Sequence, residues 1–373
     1  MKKLALCLTA VLAGFLCCHK ATNSLPEPPP APLSPSAPVE LEEKVVADKL
    51  NHVWEIVWGP DNFLWITQRG GHISRVNPAN GAVLPLLSLP DVHSSGEGGL
   101  LGMALHPDFA TQPYVYVVYT YQSNAGYREK VVRFTYNGTT LAAPAILLDG
   151  IRAASIHNGS RLVIQQDKLF ISTGDASTRA LAQDTASPNG KILRLHLDGS
   201  IPADNPFPQN PVWSWGHRNP QGLVLVDNQL FSSEHGASTD DEINRIEKGR
   251  NYGWPDVQGP CNTPAEQRLC AERNIKEPLR AWTPTLAVCG LAFYDKDLVP
   301  QWKSSLLLVT LKNSRMYQLQ LNESRTAITG EAELFNGKYG RLRSVCVAPD
   351  GRVFVGTSNG GGKDKIIMIG KKG

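Results

Sequence analysis

Two loops of the chain place imidazole, guanidinium and amide groups where a proton could be removed next to a bound anion. The stretch SIHNGSRL holds His157 between small and glycine residues, immediately before an apolar run. The stretch WGHRNPQGL places Arg218 and Asn219 before another apolar run. A neutral imidazole accepts a proton near neutral pH, and a guanidinium stabilises a developing negative charge. These residue types predict a general base beside an anion-binding group.

Three more cations occur late in the chain. Lys312 is predicted to end the strand formed by the apolar run SLLLVTL, and Arg341 and Arg343 alternate in GRLRSV just before the last predicted blade strand. A period of two puts both arginines on the same side of an extended segment. Together with Arg218 they predict a positive cluster that would bind a small molecule with several carboxylates or phosphates. The alternative is four separate surface cations.

An acidic segment follows the second loop and predicts a calcium site. The stretch SSEHGASTDDEINRIEKGRNYGWP contains, in order, Gly236, Ala237, Asp240, Asp241, Glu242 and Tyr252. Carboxylate and backbone carbonyl oxygens are the hard ligands that calcium prefers. The alternative is that these acids only cap a turn.

A repeated unit supplies the elements that must position these residues. Each copy consists of a strand, a turn at Pro-Asp or Asp-Asn/Gly, a second strand and a further strand with alternating apolar residues. Six copies over about 330 residues give roughly 55 residues each, the size of a four-stranded propeller blade with its loops. The chain is therefore predicted to be all-β, a six-bladed β-propeller, with seven blades as the alternative. Loops at one end of the blades would bring residues distant in sequence to one pocket.

The total charge argues against nucleic acid as a partner. The chain carries 37 Lys+Arg and 34 Asp+Glu, which leaves a net charge of +3. A nucleic-acid-binding surface needs a strong excess of basic residues.

The N-terminus predicts export. Residues 1–18 begin with two lysines and continue in the apolar stretch LALCLTAVLAGFLCC, which is typical of a signal peptide and short for a membrane span. The stretch ends in Cys17-Cys18, which favours a lipoprotein cysteine over an ordinary cleaved signal. Residues 19–40 are rich in proline and predict an extended tether. The folded domain is predicted to span residues 41–373, in the periplasm or anchored to a membrane by the lipid.

The later cysteines predict one disulfide and two buried thiols. Cys261 and Cys270 flank a polar, proline-containing loop, and an exported protein meets an oxidising compartment. Cys289 and Cys346 lie in apolar runs, so we expect them to be reduced and buried. The spacing contains no C-x-x-C pair of the kind that binds zinc.

The motifs resemble those of the soluble pyrroloquinoline quinone (PQQ)-dependent aldose sugar and glucose dehydrogenases, the glucose/sorbosone dehydrogenase family. The resemblance extends from about residue 45 to the C-terminus, in order. The matching stretches are WGPDNFLWITQR, GEGGLLGMALHPDF, HNGSRLVI, GKILRLHLDGSIPADNPF, WGHRNPQGL, DDEINRIEKGRNYGWP and GRLRSVCVAPDG.

The resemblance implies a role for each candidate residue. His157 would be the general base, and Arg218 and Asn219 would touch the quinone. The expected contacts to PQQ carboxylates and ring are Lys312, Arg341, Arg343 and Thr285. One calcium would bind PQQ through the backbone carbonyls of Gly236 and Ala237. A second, structural calcium would use Glu242 and the carbonyl of Tyr252.

The implied reaction is oxidation of an aldose at C1 to the lactone, with electrons passed to an external acceptor. Two positions depart from the glucose dehydrogenases. Glu97 replaces a glutamine and is expected to contact the sugar or the cofactor, and Ile156 replaces an aspartate before the histidine. The long insertions of the glucose enzymes are absent between Trp254 and Trp282, which favours an open pocket and loose specificity.

Two other functions are compatible with the predicted fold. A calcium-dependent propeller lactonase would need Asn, Asp or Glu side chains converging on the axis and would have no use for the cations. A non-enzymatic lipoprotein that binds a partner would leave His157, Arg218 and the late cations without a joint purpose.

Overall fold

The computed structural model describes Met1 and residues 37–373. The predicted signal peptide and nearly all of the predicted tether lie outside the described residues. In the part of the chain that is described, no helix is long and apolar enough to cross a membrane.

Residues 37–373 form six antiparallel sheets of four strands each, arranged as a six-bladed β-propeller. The predicted six blades are confirmed, and the alternative of seven is wrong. The first two blades comprise β2 (Val53–Trp58), β3 (Leu64–Gln68), β4 (His72–Val76) and β5 (Val83–Ser88), then β6 (Leu100–Leu105), β7 (Tyr114–Ser123), β8 (Gly126–Tyr136) and β9 (Leu141–Arg152). The third and fourth comprise β10 (Gly159–Gln165), β11 (Lys168–Thr173), β12 (Lys191–His196) and β13 (Val212–Trp215), then β14 (Pro220–Val226), β15 (Gln229–Glu234), β16 (Asp241–Ile246) and β17 (Arg280–Trp282). The fifth comprises β18 (Val288–Tyr294), β19 (Ser305–Thr310), β20 (Met316–Leu321) and β21 (Ile328–Leu334), and the sixth has β22 (Leu342–Val347), β23 (Val353–Thr357) and β24 (Asp364–Lys371).

The sixth blade takes its outer strand from the start of the domain. Strand β1 (Leu41–Leu50) pairs antiparallel with β24, with Leu41 opposite Lys371 and Leu50 opposite Asp364. The pairing joins the first and last strands of the propeller in one sheet. It closes the ring and leaves β24 without a free edge.

The inner strands are buried on both faces because each blade packs between two others. Strands such as LLGMAL (β6) and SLLLVT (β19) are therefore apolar throughout, whereas outer strands such as ITGEAEL (β21) are mostly exposed. Glycines let the inner strands approach closely around the axis. A Cβ on Gly102 would lie 2.2 Å from the carbonyl oxygen of Ser160, and one on Gly222 would lie 2.4 Å from that of Cys289. Because the strands are this close, the loops that precede them converge at one end of the axis.

Helical structure is confined to connections. Two short 3-10 helices span Arg179–Ala182 and Pro300–Trp302, and α1 spans Pro264–Glu272. Helix α1 begins with a capping box in which Thr263 and Glu266 satisfy each other's backbone N–H groups. It lies within the segment that the sequence analysis took for a loop.

The cysteine predictions are confirmed. Cys261 and Cys270 form a disulfide, with their Cα atoms 6.6 Å apart. It ties α1 to a small apolar cluster of Val257, Leu269 and Ile275. Cys289 and Cys346 are free and buried.

Candidate functional site

His157 lies at the start of β10 with its ring oriented by a buried carboxylate. Its Nδ1 is 2.8 Å from Oδ1 of Asp175, which is completely buried. An ionised carboxylate only accepts hydrogen bonds, so Nδ1 carries the proton and Nε2 keeps its lone pair. The second oxygen of Asp175 accepts a hydrogen bond of 2.9 Å from Nε1 of Trp254. The pair can therefore present Nε2 as a proton acceptor.

The His157 loop has a backbone shape that its neighbours enforce. His157 itself has a φ of +62°. A Cβ on Gly174 would lie 1.9 Å from the carbonyl oxygen of His157, so only glycine fits there. That carbonyl also accepts a hydrogen bond of 3.0 Å from the N–H of Ala176. The loops after β11 and before β10 thus hold base and carboxylate in one geometry.

Arg218 and Asn219 precede β14 and adjoin the same pair. The N–H of Asp175 donates to the carbonyl of Arg218 at 2.9 Å, and the N–H of Gly159 donates to Oδ1 of Asn219 at 3.0 Å. Nη1 of Arg218 donates to the carbonyl of His235 at 3.1 Å, and its guanidinium lies 5.3 Å from the centre of the Trp254 ring. The structure therefore brings three predicted residues, His157, Arg218 and Asn219, into one group.

Arg218 is largely buried, and burial lowers the pKa of its guanidinium while Asp175 and Glu234 oppose that shift. An arginine stays protonated even so. Within the described chain, its Nε is buried with no hydrogen-bond partner. A buried donor without an acceptor costs about 1–3 kcal/mol, so this atom suits a ligand that supplies one.

Arg341 and Arg343 differ in burial although they alternate in sequence. Arg341 is exposed, whereas Arg343 is 5% exposed. Nη1 of Arg343 donates to Oε1 of Gln221 at 3.1 Å, and its Nε donates to Oγ of Ser358 at 3.2 Å. Both partners are neutral, so no carboxylate cancels this charge through a direct contact in the described residues.

Arg69, which the sequence analysis did not select, adds a third guanidinium beside these two. It follows β3, and its Nη1 donates to the carbonyl of Gly96 at 2.7 Å. Burial lowers the pKa of Arg69, and the positive charges of Arg343 and Arg341 lower it further. Its Nε, like that of Arg218, is buried without a partner among the described residues.

Lys312 contacts Thr285, whereas Arg69, Arg341 and Arg343 form a guanidinium cluster. Strand β19 ends at Thr310, so Lys312 belongs to the following loop and does not end the strand as expected. It is exposed, and its Nζ donates to Oγ1 of Thr285 at 3.3 Å. Lys312 and Thr285, which were both predicted to contact the cofactor, are therefore hydrogen-bonded to each other.

Glu97 connects the loops of three blades. Its Oε2 accepts a hydrogen bond of 2.9 Å from the backbone N–H of His157 and one of 3.4 Å from Nδ2 of Asn219. Burial alone would raise the pKa of its carboxyl, but His235, the N–H of His157 and Arg343 lower it, and the net shift is downward. Glu97 is therefore an anion in the middle of the site.

The predicted metal residues lie around a cavity of about 20 Å³ after β15. Gly236, Glu242 and Tyr252 line it, and Ala237 is exposed beside it. A cavity that admits one water-sized sphere has room for a single ion. A Cβ on Gly236 would lie 1.9 Å from the carbonyl oxygen of Thr239. In the described chain, the carbonyls of Gly236, Ala237 and Tyr252 accept no hydrogen bond.

Acidic groups crowd this cavity. Burial and the negative charge of Glu234 raise the pKa of the Glu242 carboxyl to about 8. Oδ1 of Asn244 is buried there with no partner in the described part of the chain. Neighbouring carboxylates and a free amide oxygen suit a bound cation. Asp241 instead has a structural role, since it accepts hydrogen bonds from the N–H groups of Gly236 and Leu286.

Asp175, Arg69 and His235 also belong to this site, although they were not predicted from the sequence. Asp175 follows β11 in the motif STGD, a signal that a search for acids after inner strands could have used. Nε2 of His235 is buried without a partner in the described residues, and burial lowers its pKa. His217, by contrast, has a structural role: it is fully buried and contacts Glu234 and Ser214 at 2.9 Å each.

A profile of the family described as Glucose / Sorbosone dehydrogenase matches residues 50–368. Aldose sugar dehydrogenase YliI of Escherichia coli (strain K12) is 33% identical over 346 residues, which cover 88% of this chain and 93% of that protein. Quinoprotein glucose dehydrogenase B of Acinetobacter calcoaceticus is 31% identical, over 87% of each chain.

A solved structure supports the same relationship. The PQQ-bound form of aldose sugar dehydrogenase from Streptomyces coelicolor superimposes with a TM-score of 0.78 at 34% sequence identity. The alignment covers 90% of this chain and all of that one, 100%.

Proposed function

The chain belongs to the glucose/sorbosone dehydrogenase family, and from this premise we propose that it oxidises aldose sugars at C1 to the lactone, with PQQ and calcium as cofactors. The family resemblance is thus confirmed, and so is the oxidoreductase class. The observation that carries the proposal is the His157–Asp175 pair, held at 2.8 Å beside Arg218.

The donor set fits PQQ, a flat quinone with three carboxylates. Arg69, Arg341 and Arg343 provide a guanidinium cluster, and Nε of Arg69 and Nε of Arg218 lack acceptors within the described residues. Carboxylate oxygens are the natural partners of such groups. Lys312 and Thr285 would hold the cofactor at its exposed edge, and Asn219 beside Arg218 would contact its quinone.

The acidic cavity fits calcium. The carboxylate of Glu242 and the carbonyl of Tyr252, which line the cavity, would hold the structural ion inside it. The carbonyls of Gly236 and Ala237, which accept no hydrogen bond in the described chain, would hold a second ion at the exposed side of the cavity, where the cofactor would bind. In the described chain no group of three or more His, Cys, Asp or Glu side chains could hold a metal, so carbonyl oxygens must supply part of the coordination.

The chain's own residues divide the work of the reaction. When bound, PQQ with its calcium supplies an electrophilic quinone that accepts the hydride from the sugar. Nε2 of His157 takes the proton of the C1 hydroxyl, because Asp175 holds the proton of Nδ1. Asp175 also stabilises the imidazolium that forms. Arg218 places a positive charge where negative charge develops.

The alternatives have less support. A lactonase would leave the guanidinium cluster unused, and a non-catalytic binding protein would need neither the His157–Asp175 pair nor the unpaired arginine nitrogens. Export, as a periplasmic protein or lipid-anchored lipoprotein, remains part of the proposal, as do an external electron acceptor and loose specificity among aldoses.

Metal removal and reconstitution test the proposal. After EDTA treatment, the apo-protein is given PQQ, calcium or both, and dye reduction is followed with a panel of aldoses. We expect activity only with both, because the neutral carbonyls of Gly236 and Ala237 need oxygens from the cofactor to complete the metal site. Full activity with PQQ in metal-free buffer would contradict the calcium role, and no activity under any condition would contradict the proposed function.

A further inference from the structure

Glu97 holds the loop of the proposed base through the backbone. Its Oε2 accepts from the N–H of His157 at 2.9 Å, and its own N–H donates to the carbonyl of Ser155 at 2.7 Å. The same Oε2 is 3.4 Å from Nδ2 of Asn219. The side chain therefore joins the loops before β6, β10 and β14, which carry the acid, the base and the quinone contact.

Glu97 also lies beside the guanidinium cluster, since Nη1 of Arg69 donates to the carbonyl of the preceding residue, Gly96, at 2.7 Å. The negative charge of Glu97 raises the pKa values of Arg69, Arg218 and Arg341, and Arg343 in turn lowers the pKa of its carboxyl. Two other charged or titratable groups face it, His157 and His235. Before any ligand binds, this carboxylate offsets part of the repulsion within the guanidinium cluster.

We propose that Glu97 is a positioning residue and an internal counter-charge of the anion pocket, and not a contact of the sugar. Its Oε2 accepts the two hydrogen bonds from His157 and Asn219 that join the loops of the site. The part that concerns PQQ rests on the proposed function. The negative charge of Glu97 would repel a trianionic cofactor that enters this pocket. Glu97 would therefore weaken cofactor binding while it stabilises the site in the cofactor-free protein.

Glu97→Gln separates charge from hydrogen bonding. The amide oxygen can still accept from the N–H of His157, while the negative charge is lost. We expect PQQ, titrated into calcium-loaded apo-protein and followed by fluorescence quenching, to bind on the order of 10-fold more tightly, as one partly screened charge interaction implies. The turnover of the loaded enzyme should fall less than in Glu97→Asp, described next, because the amide still holds the loop of the base.

Glu97→Asp makes the opposite change. The charge stays, but the shorter side chain no longer reaches the N–H of His157. PQQ affinity should remain near that of wild type, while turnover falls by about 10-fold or more because the base is misplaced. If Glu97 contacted the sugar instead, both variants would raise the KM for the sugar and leave PQQ affinity unchanged. That pattern would overturn the inference.

Glu129→Gln is the matched control. Glu129 is a buried glutamate that accepts from Oγ of Ser160 at 2.8 Å, and no arginine contributes to its pKa shift. Its replacement should leave PQQ affinity unchanged.

The empty protein provides a readout that does not depend on the proposed function. Apo-Glu97→Gln should melt several degrees below wild type, and citrate, a tricarboxylate, should raise its melting temperature more than that of wild type. If wild type binds no PQQ but this citrate effect is seen, the proposed function fails and the counter-charge stands. If wild type is active with PQQ but Glu97→Gln binds PQQ no more tightly, the inference fails and the proposed function stands.

Discussion

The two ends of the propeller axis are built from the same six inner strands but differ in chemistry. The ends where these strands begin carry His157, Asn219 and Arg341, and several buried polar atoms there have no partner within the described part of the chain. The opposite ends surround a cavity of about 390 Å³ that is lined largely by apolar residues such as Met103, Val163 and Val345. The ion pair of Glu55 and Arg161 also lines this cavity.

Two buried arginines, Arg343 and Arg161, show the difference between the two ends in the partners of their guanidinium groups. Both are buried, and both guanidinium groups lie near the Trp54 ring, at 5.9 Å and 4.1 Å from its centre. Arg161 contacts the carboxylate of Glu55 at 2.6 Å, whereas the side chains that Arg343 contacts among residues 37–373 are all neutral. A buried charge with an internal partner serves the fold, and one without such a partner is available to an anionic ligand.

The largest effect on the site end should come from His157→Gln. PQQ should remain bound, since the guanidinium cluster is unchanged, but the C1 hydroxyl would lose its proton acceptor. We expect the rate of the reductive half-reaction with excess aldose to fall by about 10²–10⁴-fold. The exposed His72, changed to glutamine, is the control and should react like wild type. Equal rates for His157→Gln and wild type, with PQQ bound, would place the base elsewhere.

Arg161→Met should destabilise the fold at the end of the axis opposite the site. It leaves the Glu55 carboxylate buried and without its cation, and burial already raises the pKa of this group. Removing one partner of a buried pair costs about 3–5 kcal/mol of unfolding free energy. Urea unfolding measures this cost, and the PQQ affinity of the folded fraction should be unchanged. If the Arg161→Met variant kept wild-type stability but lost much of its PQQ affinity, Arg161 would belong to the ligand site, and the proposed difference between the two ends would be wrong.

Glu129 is a buried acid whose pKa is not lowered by a neighbouring cation, so it should make the stability of the protein depend on pH. Burial raises its pKa from 4.5 to about 8, so between these values the folded protein binds a proton that the unfolded chain has released. The stability contribution of Glu129 therefore falls as pH rises through this window, by about 1 kcal/mol per pH unit. Glu129→Gln should remove this slope in unfolding experiments between pH 5 and pH 8. An identical slope in the variant and wild type would show that Glu129 is ionised in the folded protein.

Arg341→Ala and Lys312→Ala should produce the smallest effects, confined to the site end. Both side chains are exposed, so stability should change little. Each charge-assisted hydrogen bond to a carboxylate is worth about 1.5–3 kcal/mol, or about 10- to 100-fold in PQQ affinity. Turnover of the loaded enzyme should change less. An unchanged PQQ titration for both variants would remove these residues from the proposed cofactor site.

Local patterns in the sequence were sufficient to predict the six blades, the disulfide of Cys261 with Cys270 and the loops that contain His157 and Arg218. Strand alternation, turn residues and cysteine context depend on neighbours within a few positions, so they can be interpreted before the chain is folded. Helix α1, which contains Cys270, was missed because its nine residues are mostly polar and none is fully buried, so they show no helical apolar periodicity.

Which groups meet at the axis was decided only by the tertiary structure. Asp175 orients His157 from 18 residues away, Glu97 reaches His157 across 60, and Arg69 joins Arg341 and Arg343 from the other side of the ring closure. The alternation of Arg341 and Arg343 predicts that they lie on the same side of the strand, but it does not predict that Arg341 is exposed and Arg343 buried. Pairing and burial at the axis depend on how closely six separate strands approach, and no local pattern contains that distance.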